Sequence, residues 1–194
     1  MYDTTEIKRG LKIEVEGKPY VVLKSDFTNP GKGSAFVTAR IKNLETGQVI
    51  ERTWKSGVST NVTAPDLEEK EVEYTYSDPE GFNFLDQSNF ETIHLTNDQI
   101  GDDKYYLMEG SKLVVLYYKG RPISIEHPHF INIKVAETDP GLKGDTASGA
   151  TKKAVMETGL QVKVPLFIKE GELLKIDTRT GDYVERAEQA KNNK

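Results

Sequence analysis

Apolar and polar residues alternate along most of this chain with a period of two. Leu11 to Glu16 reads Leu-Lys-Ile-Glu-Val-Glu, the pattern of a half-buried strand whose successive side chains face opposite sides of a sheet. Gly17-Lys18-Pro19 predicts a turn, Tyr20 to Phe27 a second strand, Phe36 to Leu44 a third and Gln48 to Trp54 a fourth. The last two are joined across Glu45-Thr46-Gly47, a short turn with a glycine placed for positive φ. Four to five strands in about 60 residues is the scale of a small SH3-like barrel.

The rest of the chain repeats the pattern. Glu71 to Tyr76 alternates, Asp78-Pro79-Glu80-Gly81 is a strong turn, and Phe82 to Leu85 returns. Lys112 to Tyr118 and Pro122 to Ile125 form a pair across Lys119-Gly120-Arg121, followed by Phe130 to Val135, Leu160 to Pro165, Glu172 to Ile176 and Tyr183 to Arg186. No window carries period-3.6 amphipathicity over ten residues, so helix is confined to a turn near Asp66 to Lys70 and another near Asn97 to Gly101. The polar tail Ala187 to Lys194 is expected to fray. Closing each short set of strands removes edges that would invite aggregation. The expected fold is therefore all-β: three small barrels in series, over residues 1–64, 65–128 and 129–190.

Composition narrows the possibilities. The 194 residues include no cysteine, which excludes a disulfide scaffold, a thiolate nucleophile and a Cys-ligated zinc site. The longest mostly apolar stretch, Leu113 to Tyr118, is too short to span a bilayer, and no secretory signal is visible after Met1. A soluble cytoplasmic protein with no membrane association is expected. The net charge of -5 is unevenly spread. Residues 1–63 carry +3, residues 64–127 carry -9 and residues 128–194 carry +1. Overall acidity argues against a simple electrostatic binder of duplex nucleic acid, so any contact with a polyanion must be local.

Four segments carry candidate chemistry. Thr28-Asn29-Pro30-Gly31-Lys32-Gly33-Ser34 lies between two strands, with Pro30 fixing φ and Gly31 and Gly33 opening conformations closed to other residues. It predicts a tight projecting loop with one cation, Lys32, at its tip; spacing alone equally allows an ordinary turn with a solubilising lysine. It is neither a P-loop nor a dinucleotide fingerprint, because Lys32 leads into Gly33 and a strand, and the third glycine is replaced by Phe36. Arg40, Lys42, Arg52 and Lys55 follow on two strands, and with Lys32 they offer a cationic strip for a phosphate backbone, or else a solvated face. The loop Thr138 to Gly149 is longer than a barrel connection needs. The hairpin Asp177 to Arg186 exposes Arg and Tyr side chains suited to RNA. His127 and His129 flank Pro128 with only His94 elsewhere, so no metal site is expected, and no nucleophile triad, carboxylate pair or cofactor motif points to an enzyme.

These residues carry a family resemblance. Pro30-Gly31-Lys32-Gly33-Ser34-Ala35-Phe36, Arg40, Leu44-x-Thr46-Gly47 and Thr53-x-Lys55-Ser56 resemble the first domain of bacterial translation elongation factor P. Thr138 to Thr146, Val162-x-Val164-Pro165-Leu166-Phe167-Ile168 and Asp177-Thr178-Arg179-Thr180-Gly181-x-Tyr183-Val184-x-Arg186 resemble its third domain, while the middle domain matches more weakly. The resemblance implies a KOW/SH3-like barrel followed by two OB barrels in an L-shaped, tRNA-like outline. It implies a monomer, without cofactor, that binds both ribosomal subunits beside peptidyl-tRNA, between the peptidyl and exit sites, and relieves stalling at consecutive prolines. Lys32 takes the place of the loop-tip residue near the peptidyl-transferase centre. Many members extend that residue by a lysine-type modification, so an enzyme acting on Lys32 is a further partner; other branches carry Arg or an unmodified Lys. Pro30, Gly31 and Gly33 shape the loop, and Arg40, Lys42, Arg52, Lys55, Tyr183 and Arg186 fall to tRNA and ribosomal RNA. Gly144-Asp145-Thr146 matches the loop on the exit-site and messenger side. Two rivals are the two-domain initiation factor 5A family, which the third domain disfavours, and a general OB-fold binder of single-stranded nucleic acid, which wants basic residues where the middle domain has Glu71, Glu73 and Glu80.

Overall fold

The computed structural model describes residues 1–140 and 150–187. Among these residues fourteen strands fall into three antiparallel sheets. The first holds β1 (Lys12–Val15), β2 (Lys18–Thr28), β3 (Phe36–Asn43) and β4 (Val49–Lys55) in sequence order. Its alternation works as read: Ile13, Val22, Val37, Ala39 and Ile41 point inward and are buried with Ile7 and Val62. Each such Ile or Val side chain removed from water contributes about 1.5–3 kcal/mol of transfer free energy.

The second sheet contains β5 (Leu67–Asp78), β6 (Gly81–Asp86), β7 (Thr92–Thr96), β8 (Lys112–Tyr118) and β9 (Arg121–Glu126). The third contains β10 (Phe130–Thr138), β11 (Thr151–Met156), β12 (Gln161–Pro165), β13 (Leu173–Asp177) and β14 (Asp182–Arg186). Their strand orders, β7-β6-β5-β8-β9 and β12-β11-β10-β13-β14, are the same topology used twice. In both, the first strand pairs with two partners and is broken by a bulge, between Tyr74 and Tyr76 and between Val135 and Glu137. The bulge coils the strand so that one end serves each partner. The outer strands then approach each other, β7 to β9 and β12 to β14, closing two OB-like barrels. Phe84, Leu95 and Val115 centre one core, and Ile133, Val164 and Leu174 the other.

Three sequence expectations are corrected. Asp66 to Lys70 is not a turn: β5 starts at Leu67, and Leu67 to Lys70 pair with Tyr118 to Val115 of β8, so cross-strand pairing overrides the local charge run. β7 and β11 are strands in addition to those expected from the sequence. The turn at Asn97 is real, a short helix α1 (Asn97–Ile100) with a capping box between Thr96 and Gln99, but it continues as a 3₁₀ segment through Tyr106.

The units are joined by built contacts. Leu44 and Leu67 pack on Leu116, Tyr118 and Ile123. The Tyr118 hydroxyl lies 2.8 Å from a Glu14 carboxylate oxygen and 2.9 Å from the Gly17 carbonyl. Lys12 reaches Glu69 at 2.8 Å and Glu126 at 3.0 Å. Burial works to discharge the Lys12 ammonium, but its bonds to these two carboxylates hold it above the ordinary lysine value. On the other side, Tyr106 and Met108 leave the middle barrel to pack against the third core.

Candidate functional site

Strands β2 and β3 stay paired from Tyr20↔Asn43 out to Thr28↔Phe36. Beyond the bulge at Val22/Lys24 the residues of β2 are mostly exposed, while Val37 and Ala39 of β3 stay in the barrel core almost to the end of the hairpin, so it is the connecting loop that projects. Asn29 to Ala35 form that loop. Lys32 is exposed there, and among the described residues it forms no ion pair and no side-chain hydrogen bond. Gly33 adopts φ +110°, a conformation that disfavours a Cβ. Gly31 does not: its φ is not positive and an added Cβ would meet nothing. Only one of the two loop glycines is therefore required by backbone conformation.

The loop base is anchored by residues the sequence reading did not interpret. The Ser56 amide donates to the Ala35 carbonyl at 2.7 Å. The Ser56 hydroxyl lies 2.8 Å from that of buried Thr4, which in turn bonds Asp3. Phe36 pairs with both Thr28 and Lys55, and Thr38 meets Thr53 hydroxyl to hydroxyl at 3.0 Å. Thr53-x-Lys55-Ser56 thus serves as the clamp beneath the loop. A long-range partner such as Thr4 carries no local sequence signal.

The basic residues do not form one strip. Arg40, Lys42 and Lys55 occupy the outer face of β3 and β4, with Glu51 directly opposite Arg40. Arg52 lies opposite Ala39, on the other face, 3.3 Å from Glu16. Lys42 faces the middle unit: its ammonium acts on Asp103, whose carboxyl is pushed up by burial and drawn back by Lys42 and His127. Asp103 Oδ1 is 3.9 Å from His127 Nε2, which has no hydrogen-bond partner among the described residues, and the His127 ring lies 5.5 Å from that of Tyr106. Burial keeps this histidine below its usual value. His127 is therefore a junction residue. Among the described residues no cluster of three or more His, Asp or Glu side chains is placed to hold a metal, and no helix is long and apolar enough to cross a membrane.

In the third unit, Tyr183 is half-buried against the core rather than presented outward. Arg186 is exposed, stacked over the Phe167 ring at 4.6 Å and 3.3 Å from Glu172. Arg179 forks onto Asp177 at 2.6 and 2.9 Å, holding that carboxyl down to about 2. Gly144, Asp145 and Thr146 lie outside the described residues.

Comparison with known proteins matches the whole length. The family model described as the elongation factor P KOW-like domain matches residues 3–59, the elongation factor P OB domain matches residues 67–125, and the elongation factor P C-terminal model matches residues 131–186. Elongation factor P of Bdellovibrio bacteriovorus is 48% identical over 97% of this chain and 100% of its own length. That of Moorella thermoacetica is 46% identical over 96% and 100%. A solved structure described as eukaryotic translation initiation factor 5A from Methanococcus jannaschii is similar in fold, with a TM-score of 0.50 at 16% identity over 65% of this chain and 91% of that one. With three consecutive domain models and near-full-length relatives in agreement, the chain belongs to the elongation factor P family of translation factors.

Proposed function

We propose that the chain binds the ribosome beside peptidyl-tRNA, between the peptidyl and exit sites, and stimulates peptide-bond formation at consecutive prolines. The observation that carries this reading is Lys32, exposed and unpaired among the described residues at the tip of a loop clamped at its base. Proline is a constrained donor and nucleophile, so a loosely held tRNA samples unproductive geometries. A body that fills the adjacent site and braces the tRNA end restricts those states, and orientation of this kind is worth up to about 7–11 kcal/mol in the best intramolecular cases. The ribosome performs the chemistry, and the chain acts as a non-enzymatic monomer in the cytoplasm.

Division of labour follows the units 1–64, 65–128 and 129–190. Lys32, extended by a modifying enzyme or bare, braces the terminal nucleotides, with Pro30 and Gly33 setting the loop. Arg40 and Lys55 flank it on the RNA side; Arg52, paired with Glu16, and Lys42, turned toward the Asp103 carboxyl, contribute less. Arg186 and Tyr183 serve the end that meets the small subunit and tRNA, and Gly144-Asp145-Thr146 the exit-site and messenger side. The deciding experiment replaces Lys32 by Ala and measures synthesis of a triple-proline reporter in a reconstituted system. The expected result is an unchanged unfolding temperature and a rescue at least tenfold weaker, about 1.4 kcal/mol of barrier. Equal rescue by both proteins would remove Lys32 from the mechanism.

A further inference from the structure

The two OB barrels share a strand order but not a surface. In the third, β11 and β12 are the second and third strands, the pair whose outer face OB folds commonly use for oligonucleotides. Their register sets Thr151 opposite Pro165, Lys153 opposite Lys163 and Val155 opposite Gln161. Alternation places Ala154, Met156, Val162 and Val164 in the core and leaves Lys153 and Lys163 exposed on the outer side. Like charges directly opposite each other in an antiparallel pair are destabilising. No carboxylate among the described residues reaches either ammonium within ion-pair distance, although Glu137 and Glu170 line the next depression beside Lys153. Thr151 and Gln161, with the two lysines, line a shallow open groove. The same strand pair of the middle barrel is different: β6 is almost wholly buried, and its Asn83 sits opposite His94, backed by the Asp78 carboxylate at 2.7 Å from Asn83.

We propose that the β11–β12 face of the third barrel, through Lys153 and Lys163 with Gln161 and Thr151 beside them, is a second RNA contact that takes a phosphodiester backbone. Two adjacent cations about one cross-strand step apart bridge neighbouring phosphates, and each phosphate resolves the repulsion between them. The contact carries no base readout, since ammonium groups on a strand face meet phosphate oxygens without regard to sequence. It sets the far end of the molecule while the Lys32 loop sets the near end. The inference rests on the ribosomal reading above, but its residues are separate from every residue assigned there.

The test uses the full chain and purified bacterial ribosomes carrying peptidyl-tRNA. Equilibrium binding is measured across a salt series for the wild type, for Lys153→Gln/Lys163→Gln, and for a control pair of exposed lysines, Lys112→Gln/Lys169→Gln. Each lost phosphate contact lowers the slope of log affinity against log salt by about one. The β11–β12 pair is expected to lower it by about two with an unchanged unfolding temperature, and the control pair by less than about half of one. A photoreactive residue at position 163 is expected to crosslink to ribosomal or transfer RNA. A slope equal to wild type, or crosslinks confined to ribosomal protein, overturns the inference. Failure of the wild type itself to bind ribosomes instead overturns the ribosomal reading, so the two failures are distinguishable.

Discussion

At the scale of single residues, the Lys32 loop separates two glycines that look equivalent in sequence. Gly33 holds φ +110° and Gly31 does not. Gly33→Ala is expected to strain the loop by about 1–3 kcal/mol and to weaken triple-proline rescue with Lys32 still present. Gly31→Ala should leave rescue near wild type; parallel reporter assays on the two variants check both. A second residue-scale expectation concerns Asp177. Its carboxyl lies at about 2 because Arg179 donates to it. A depressed carboxylate adds stability that is present above the unfolded value near 3.9 and is lost as pH falls toward 2. Carbon-detected titration of Asp177 should show a midpoint near 2 in the wild type and a return toward the ordinary range in Arg179→Ala.

At the scale of elements, Gly81 closes the Asp78–Gly81 turn where a Cβ would run into the Leu95 carbonyl of the neighbouring strand. Gly81→Ala must therefore push β7 away from β6, and a loss of at least about 2 kcal/mol in denaturant unfolding is expected. Strands were the legible part of this chain. β1, β3 and β13 announce themselves through alternation, because one face of each meets a core; β8 is apolar on both faces, because Leu113 and Val115 meet the middle core while Leu116 and Tyr118 meet the junction with the first unit. β11 hides its alternation, since Lys152 sits on the core side at the open end of the barrel and Lys153 on the other. β5 hides its start, since Glu68 and Glu69 look like a loop until Tyr117 and Leu116 are set opposite them. In the candidate site the lysine-tipped loop was readable from local glycine and proline chemistry. The separation of Arg52 from Arg40, and the approach of Lys42 to the Asp103 carboxyl, were not, because both depend on groups far away in the sequence.

At the scale of the molecule, the joints are polar as well as apolar. Tyr118→Phe removes the hydroxyl shared by Glu14 and Gly17. A loss of about 0.5–1.5 kcal/mol is expected, together with separation of the first unit's melting from the rest in calorimetry. His127, buried at the second joint, is held by burial below its ordinary value in the fold and regains that value, near pH 6.5, once unfolded. Its contribution to stability is therefore present above that pH and is lost as pH falls through the depressed folded value. Replacing it in His127→Asn should reduce the pH dependence of unfolding between pH 7 and 5 by up to about one proton. The clasp formed by Thr4, Ser56 and Ala35 reaches further still. Because the opening residues hold down the root of the loop, trimming residues 1–4, or tethering a bulky fusion to them, would slacken the lysine finger from behind while leaving every residue proposed to meet RNA in place.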